Sequence, residues 1–498
     1  MKNPYIDSFM SSFPYEGLTF DDISLVTQYA DFLPKDASVE SRFSRNIKLN
    51  IPFVSAAMDT VTGSSMAIAM AKNGGIGVIH KNMDIADHAA EVAKVKKHSN
   101  GLIESPITFR ADQTIEEMLN WKADHGVDFS GFPIVDSNNR VVGILTAFDL
   151  KFVRDYTLTL ADVMTPTVVT ASHKTSLKEA YAQMISQKLG KLPLVNTDGS
   201  LAGLYSFHDV RKLNDNCSKV ANLDSNYQLR VAAAMSPFDF DRAEALASAG
   251  VDAFVIDTAH GDSKGVIDTV AELKNTYTDI DVIAGNVGTG EGAKALADAG
   301  VDAVKVGIGP GSICTTRVVA GVGIPQVSAV YAAAKALPSD VPVIADGGIK
   351  QSGDVAKAIA VGASSVMVGS VLAGTEESPG EKIIHQGRRF VVYRGMGSLE
   401  AMKAGQGSKE RYSQGEISDP SQLIPQGVDG RVPFRGDAAS VLHQYSGGLR
   451  FSLGYCGSRT VSEFQEKAKI VRVSPAGLKE AHPHDIQVAR DAPNYRTS

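Results

Sequence analysis

The stretch GIGPGSICTTR, residues 307–317, sets a thiol, Cys314, among glycines, a proline and a serine. A cysteine held in a loop of small residues can be reached by a substrate and positioned flexibly, and as a thiolate it is a nucleophile. A free thiol titrates near about 8.5, so attack at neutral pH needs local stabilisation of the thiolate or a nearby base. Cys217 and Cys456 lie in no comparable loop and are read as structural. Two more stretches, ADGGI (345–349) and MVGS (367–370), place glycines where backbone N–H groups can take an anion. Gly347, Gly348, Gly369 and Ser370, joined by Ser312, are therefore candidate phosphate donors. Each stretch alone reads as a tight turn; their coincidence points to a phosphate. Asp257 and Asp346 each close an apolar run and can accept hydrogen bonds from sugar hydroxyls, with helix capping as the competing role. GNVGTGEG and GIGPGS lack the strand, helix and downstream acid of a dinucleotide fingerprint, so their glycines alone imply no dinucleotide.

Such scattered residues need a frame that gathers them. Short runs rich in Val, Ile and Ala recur at 51–59, 75–80, 229–236, 253–261, 281–288, 303–312, 341–349 and 364–370, with helical periodicity between most of them. This is the pattern of buried parallel strands alternating with helices. Two units are near copies, LASAGVDAFVID from Leu246 and LADAGVDAVKVG from Leu296. Eight βα units predict an α/β fold, a (β/α)8 (TIM) barrel, whose reactive residues stand where strands end and loops begin. Cys314 falls at such a place.

The pattern breaks between His80 and Leu229, a gap too long for one crossover helix. Inside it, FPIVDSNNRVVGILTAFDL (132–150) returns as LPLVNTDGSLAGLYSFHDV (192–210). The duplication predicts a folded pair inserted at about 101–219, its halves about 106–160 and 161–216, leaving 1–100 and 220–498 to the barrel. TAFD and SFHD within it also have the form of helix N-terminal caps. A third region, about 385–440, is rich in Gly, Ser, Gln and Asp with little periodicity and is expected to be an irregular, mobile lid.

The chain has 498 residues, 43% of them hydrophobic, enough for two to four domains at about 150 residues each. A net charge of −7 argues against nucleic acid or an anionic membrane held by bulk electrostatics. Three cysteines are too few for a disulfide framework, and no signal segment or apolar stretch of membrane-spanning length occurs, so a cytoplasmic protein is expected.

GIGPGSICTTR, ADGGI, VGS, YRGMGS, the ERYSQG segment and LIPQGVDGRVP together closely resemble the inosine 5′-monophosphate (IMP) dehydrogenase family, and with LTFDDISLV and VSAAMDTVTG the likeness spans nearly the whole chain. The inserted duplicate resembles the paired cystathionine-β-synthase-type (CBS) domains of that family. The resemblance implies NAD-dependent oxidation of IMP to xanthosine 5′-monophosphate in guanine nucleotide synthesis, through a covalent thioimidate on Cys314, with Arg411 and Tyr412 of the lid activating water and Thr316 facing the reacting centre. It places Ser312, Gly347, Gly348, Gly369, Ser370 and Tyr393 on phosphate and Asp346 on the ribose. Arg394, Gly395, Met396, Gly397 and Gln426 are implied on the substrate, and Asp257, Asn286, Gly307 and Gly309 on the NAD side. It further implies potassium on the carbonyls of Gly309, Gly311 and Cys314, completed by Glu480, Ala481 and His482 of a neighbouring subunit. A homotetramer follows, with octamers a further option and purine nucleotides as ligands of the CBS pair. Position 426 is Gln where many bacterial members carry Glu, and Gln cannot act as a base. The rivals are guanosine 5′-monophosphate (GMP) reductase, expected to lack the Arg-Tyr pair and normally the insert, and an inactive nucleotide-sensing protein.

Overall fold

The computed structural model describes residues 3–98, 102–103, 105–125, 131–151, 153–212, 220–490 and 492–495. It divides into two compact units, one of residues 1–96, 220–222 and 229–498, the other of residues 97–219 and 223–228.

In the first unit eight strands, β1 (Phe53–Ser55), β2 (Ile76–Ile79), β3 (Val231–Met235), β4 (Ala253–Asp257), β5 (Asp281–Val287), β6 (Ala303–Val306), β7 (Val343–Asp346) and β8 (Ser365–Val368), close into a barrel. Each pairs in parallel with its neighbours in chain order, and β2 pairs with β3 across the interruption. All eight apolar runs thus become strands. Alternate residues of these strands, among them Val54, Val78, Ala232, Ala234, Val255, Ile283, Ala303, Ile344 and Met367, fill one buried cluster, as the period of two along a strand requires. The intervening residues face the helices; Phe254, for example, is fully buried with its ring 5.2 Å from that of Tyr277. The near copies become matching helix-to-strand units, Phe240–Ser248 into β4 and Gly290–Asp298 into β6. Each helix stops at a left-handed glycine, Gly250 or Gly300, a conformation any side chain would strain.

The second unit contains the duplicate. Its strands Phe109–Arg110, Gly131–Val135 and Val141–Thr146 form one sheet, and Ala171–Ser172, Lys191–Val195 and Leu201–Ser206, with Leu102–Ile103, form another. Both sheets slip register at equivalent places, Ile134/Val135 and Leu194/Val195, so the copies share backbone geometry as well as residues. Each has its own core, around Phe109, Ile115 and Phe132 in the first copy and Leu177, Met184 and Tyr205 in the second. Thr146 and Asp149 do cap a short helix, the Asp149 carboxylate accepting from the Thr146 N–H at 2.7 Å and its hydroxyl at 2.6 Å. The side chain of Asp209 and all of Cys217 lie outside the described residues.

The region about 385–440 is more regular than its composition suggests. Lys382–His385, Arg388–Arg394 and Asp429–Pro433 make an antiparallel sheet, and Leu399–Ala404 and Gln406–Arg411 are short helices. Segments of four to seven residues interrupted by glycine are too short to show a period.

Candidate active site

The barrel brings together residues that lie far apart in sequence because the C-terminal ends of its strands converge on one face. There a cavity is lined by Cys314 with Ser312, Gly307, Gly309 and Gly311 of the β6 loop; by Asp257 of β4 and Asn286 of β5; by Asp346, Gly347 and Gly348 at the end of β7; and by Gly369 and Ser370 after β8. Tyr393, Gly395, Met396, Arg411, Tyr412 and Gln426 complete its wall. An adjoining cavity passes Thr258, His260, Gly288, Ile308 and Val322, carries Thr316 on its wall and shares Arg411, Tyr412 and Gln426 with the first. Arg394, Gly397, Glu480, Ala481 and His482 line neither.

The half-buried Cys314 donates its S–H to Thr316 Oγ1 at 3.1 Å, and its sulfur lies 3.7 Å from the Gln426 carbonyl. Its loop is stitched to the lid by backbone bonds, Thr315 N–H to Gln426 O at 3.0 Å and Val428 N–H to Ile313 O at 3.1 Å. Beyond the cysteine, Arg317 braces the loop by donating to the carbonyls of Ile308 (3.0 Å) and Ile324 (2.6 Å). These bonds hold the thiol without using its side chain.

At the phosphate turns Gly347 and Gly348 are left-handed, at φ 88° and 83°. The Gly347 N–H is committed to Met367 O at 3.3 Å. Burial pushes the Tyr393 hydroxyl up to about 12, keeping it a neutral donor near Ser312. Gly307 has a strict steric reason: a Cβ there would lie 2.2 Å from the Asp346 carbonyl oxygen.

Under the cavity lies a residue the sequence reading passed over. Lys305 of β6 is almost wholly buried, and its ammonium donates to Asp257 Oδ1 at 2.7 Å, to Asp346 Oδ2 at 2.9 Å and to Asn286 Oδ1. Asn286 in turn donates to Asp346 Oδ2 at 2.9 Å and to Gly307 O at 2.8 Å. A buried ammonium needs such compensation. The signal was a lysine in the otherwise apolar strand AVKV.

The lid closes this network. Arg411 forms an ion pair with Asp257 Oδ2, and its carbonyl accepts the Ala259 N–H at 3.0 Å. Tyr412 packs on Gly397, where a Cβ would fall 2.6 Å from the ring, and burial raises its phenol above the usual value. Gly397 therefore makes room for the lid tyrosine. Arg394 is committed elsewhere, paired with Asp59 at 2.7 Å. Glu480 ends the helix Pro475–Glu480, while His482 meets the Tyr495 hydroxyl at 3.0 Å.

A closed (β/α)8 barrel with a thiol, an acid pair and glycine turns gathered at the ends of its strands defines a barrel enzyme. Residues 17–484 match the family model described as the IMP dehydrogenase / GMP reductase domain, and the chain belongs to that family. It is 50% identical over 488 residues to an inosine-5′-monophosphate dehydrogenase of Aquifex aeolicus, covering 96% of this chain and 98% of that protein. The corresponding protein of Bacillus subtilis is 46% identical, with 98% and 99% covered. Among solved structures, a cysteine-to-alanine variant of GMP reductase from Trypanosoma brucei in complex with guanosine 5′-monophosphate aligns with a TM-score of 0.78 at 37% identity, covering 96% of this chain and 100% of that one. That coverage includes most of the insert. The insert is thus compatible with either activity, although a reductase was expected normally to lack it.

Proposed function

We propose that this protein oxidises IMP to xanthosine 5′-monophosphate with NAD and water, serving guanine nucleotide synthesis. Near-full-length identity of 46–50% to proteins named inosine-5′-monophosphate dehydrogenase supports it, against 37% to a reductase. The observation that supports the choice is Arg411, ion-paired with Asp257 on the wall of the thiol cavity.

In this reading Ser312, Gly348, Gly369, Ser370 and Tyr393 bind the phosphate, Asp346 the ribose and Met396 and Gln426 the base. Cys314 Sγ gives up its proton to solvent and bonds to C2 of the hypoxanthine ring, and the C2 hydrogen leaves as hydride. NAD supplies the acceptor for that hydride, in the cavity past Thr258 and Gly288 whose wall bears Thr316. Arg411 and Tyr412 then position water against the thioimidate; its oxygen bonds to C2, and the C–S bond breaks to return the thiol. Gln426 supplies hydrogen bonds only. Potassium suits the Gly309, Gly311 and Cys314 carbonyls, a neutral all-oxygen set that favours a hard monovalent cation, with Glu480, Ala481 and His482 of a neighbouring copy in a tetramer.

Incubation with IMP and NAD, followed at the NADH absorbance band, tests the function. NADPH consumption with GMP, and no NADH from IMP, would overturn it. The inserted pair is read as CBS domains that bind purine nucleotides and regulate, since the repeat carries none of the residues around Cys314. Deleting about 101–219 should leave kcat essentially unchanged in a folded barrel, and a collapsed kcat would refute the regulatory role.

A further inference from the structure

Lys81, just past β2, is the second buried lysine beneath the lid, and its surroundings differ from those of Lys305 in one respect. It is 3% exposed, and among the described residues its ammonium donates only to neutral oxygens: Ser236 Oγ at 2.9 Å, the Asp257 carbonyl at 2.9 Å and the Met235 carbonyl at 3.5 Å. Ser236 also donates to the Glu410 carboxylate, and Asp257 holds Arg411. Two of the three acceptors of Lys81, Ser236 and Asp257, thus belong to residues that seat the lid tip.

The seat is tight. A Cβ on Gly407 would lie 2.6 Å from the Lys81 carbonyl, and one on Gly405 2.3 Å from the Asn82 side chain. Asn82 accepts from the Ser408 N–H at 3.1 Å and donates to the Ala401 carbonyl at 3.2 Å. Residues 401–408 are therefore fixed through the turn after β2, while 410–412 meet β3, β4 and the cavity.

We propose that Lys81 is a positioning residue for the lid tip, its protonation state setting how firmly Arg411 and Glu410 dock on the ends of β3 and β4. The proposal rests on the reading of the lid as a part that opens and closes. The charged groups facing Lys81 are Arg411 and Glu410 from the lid, and Arg242 and Asp239, paired at 2.6 Å, from the segment after β3. Burial first, then Arg411, bring its ammonium from the ordinary 10.5 down to about 7, with Glu410 opposing more weakly. Of these, the Arg411 charge arrives with the tip, so docking favours loss of the proton. The sign follows from linkage. Below about pH 7 Lys81 is charged whether or not the tip is docked, and docking carries its full penalty. As pH rises from there toward the undocked value, docking strengthens by up to about tenfold per unit. Nearby His80 and His88, held by burial near 4 and 3, do not titrate in this window.

The test is hydrogen exchange of residues 405–424 in the full-length protein between pH 6 and 9, corrected for intrinsic rates. Wild type should gain protection as pH rises above 7. Lys81→Met, with no charge to lose, should be protected equally at every pH, and Lys81→Arg, permanently charged and of similar reach, should be weakly protected throughout. A Met variant with the wild-type slope would overturn the proposal; should it fail to fold, an Arg variant with that slope would do the same. Exchange does not depend on turnover. Wild type that makes no NADH from IMP would sink the proposed function while leaving the exchange result to decide on Lys81.

Discussion

Cys314→Ala is expected to lower NADH formation from IMP on the order of 10⁴-fold or more, the scale of losing a covalent nucleophile, while IMP still binds. The alanine removes one sulfur and its bond to Thr316, whereas the loop is held by main-chain bonds to Gln426 and Val428 and by Arg317. Of the proposed phosphate ligands, Gly348 and Ser370 lie in other segments, and Ser312 shares the loop that those main-chain bonds hold. Calorimetric titration with IMP and a steady-state assay on the same preparation separate the two effects. Undiminished turnover would remove the thiol from the mechanism, and lost binding would show that the sulfur shapes the cavity instead.

Arg411→Ala should split the reaction differently. In the proposed mechanism hydride departure relies on Cys314 and the phosphate grip, neither of which contacts the guanidinium in the network described. Release of the proposed thioimidate would rely on water positioned by the lid. The expected result is therefore one rapid equivalent of NADH per active site, followed by a steady state slowed by about 10²–10⁴-fold, the range for a group that assists proton transfer. Rapid-mixing absorbance reads both phases. Loss of the initial burst would move Arg411 from the water step to the hydride step.

The barrel was legible because buried parallel strands leave unbroken apolar runs, and all eight became strands. The insert announced itself by duplication, a signal independent of propensity. Cys314 and the glycine turns, picked out by residue type, come together on the wall of one cavity. The hairpin of the lid was missed, although Gln386 and Gly387, both at positive φ between two strands, are a tight turn of the kind that joins antiparallel neighbours; overall composition hid a local pattern. Pairs such as Arg394 with Asp59, 335 residues apart, leave no trace in spacing, so an arginine beside the substrate segment was assigned to substrate. Lys305 and Lys81 were overlooked for a related reason: a lysine is ordinarily solvated, and only the folded barrel reveals what surrounds these two.

Lys305 stands between two acids, and the sum of charges around it changes with the lid. Two carboxylates and one ammonium leave one unit of negative charge in excess; Arg411 cancels it on arrival. If the tip withdraws as proposed, the floor of the barrel mouth is left with that negative charge, and any guest that settles there in place of the arginine is favoured for being positive. Occupancy of that spot is thus an exchange of one cation for another, and a guest that gave up its positive charge while bound would lose its hold to the waiting guanidinium.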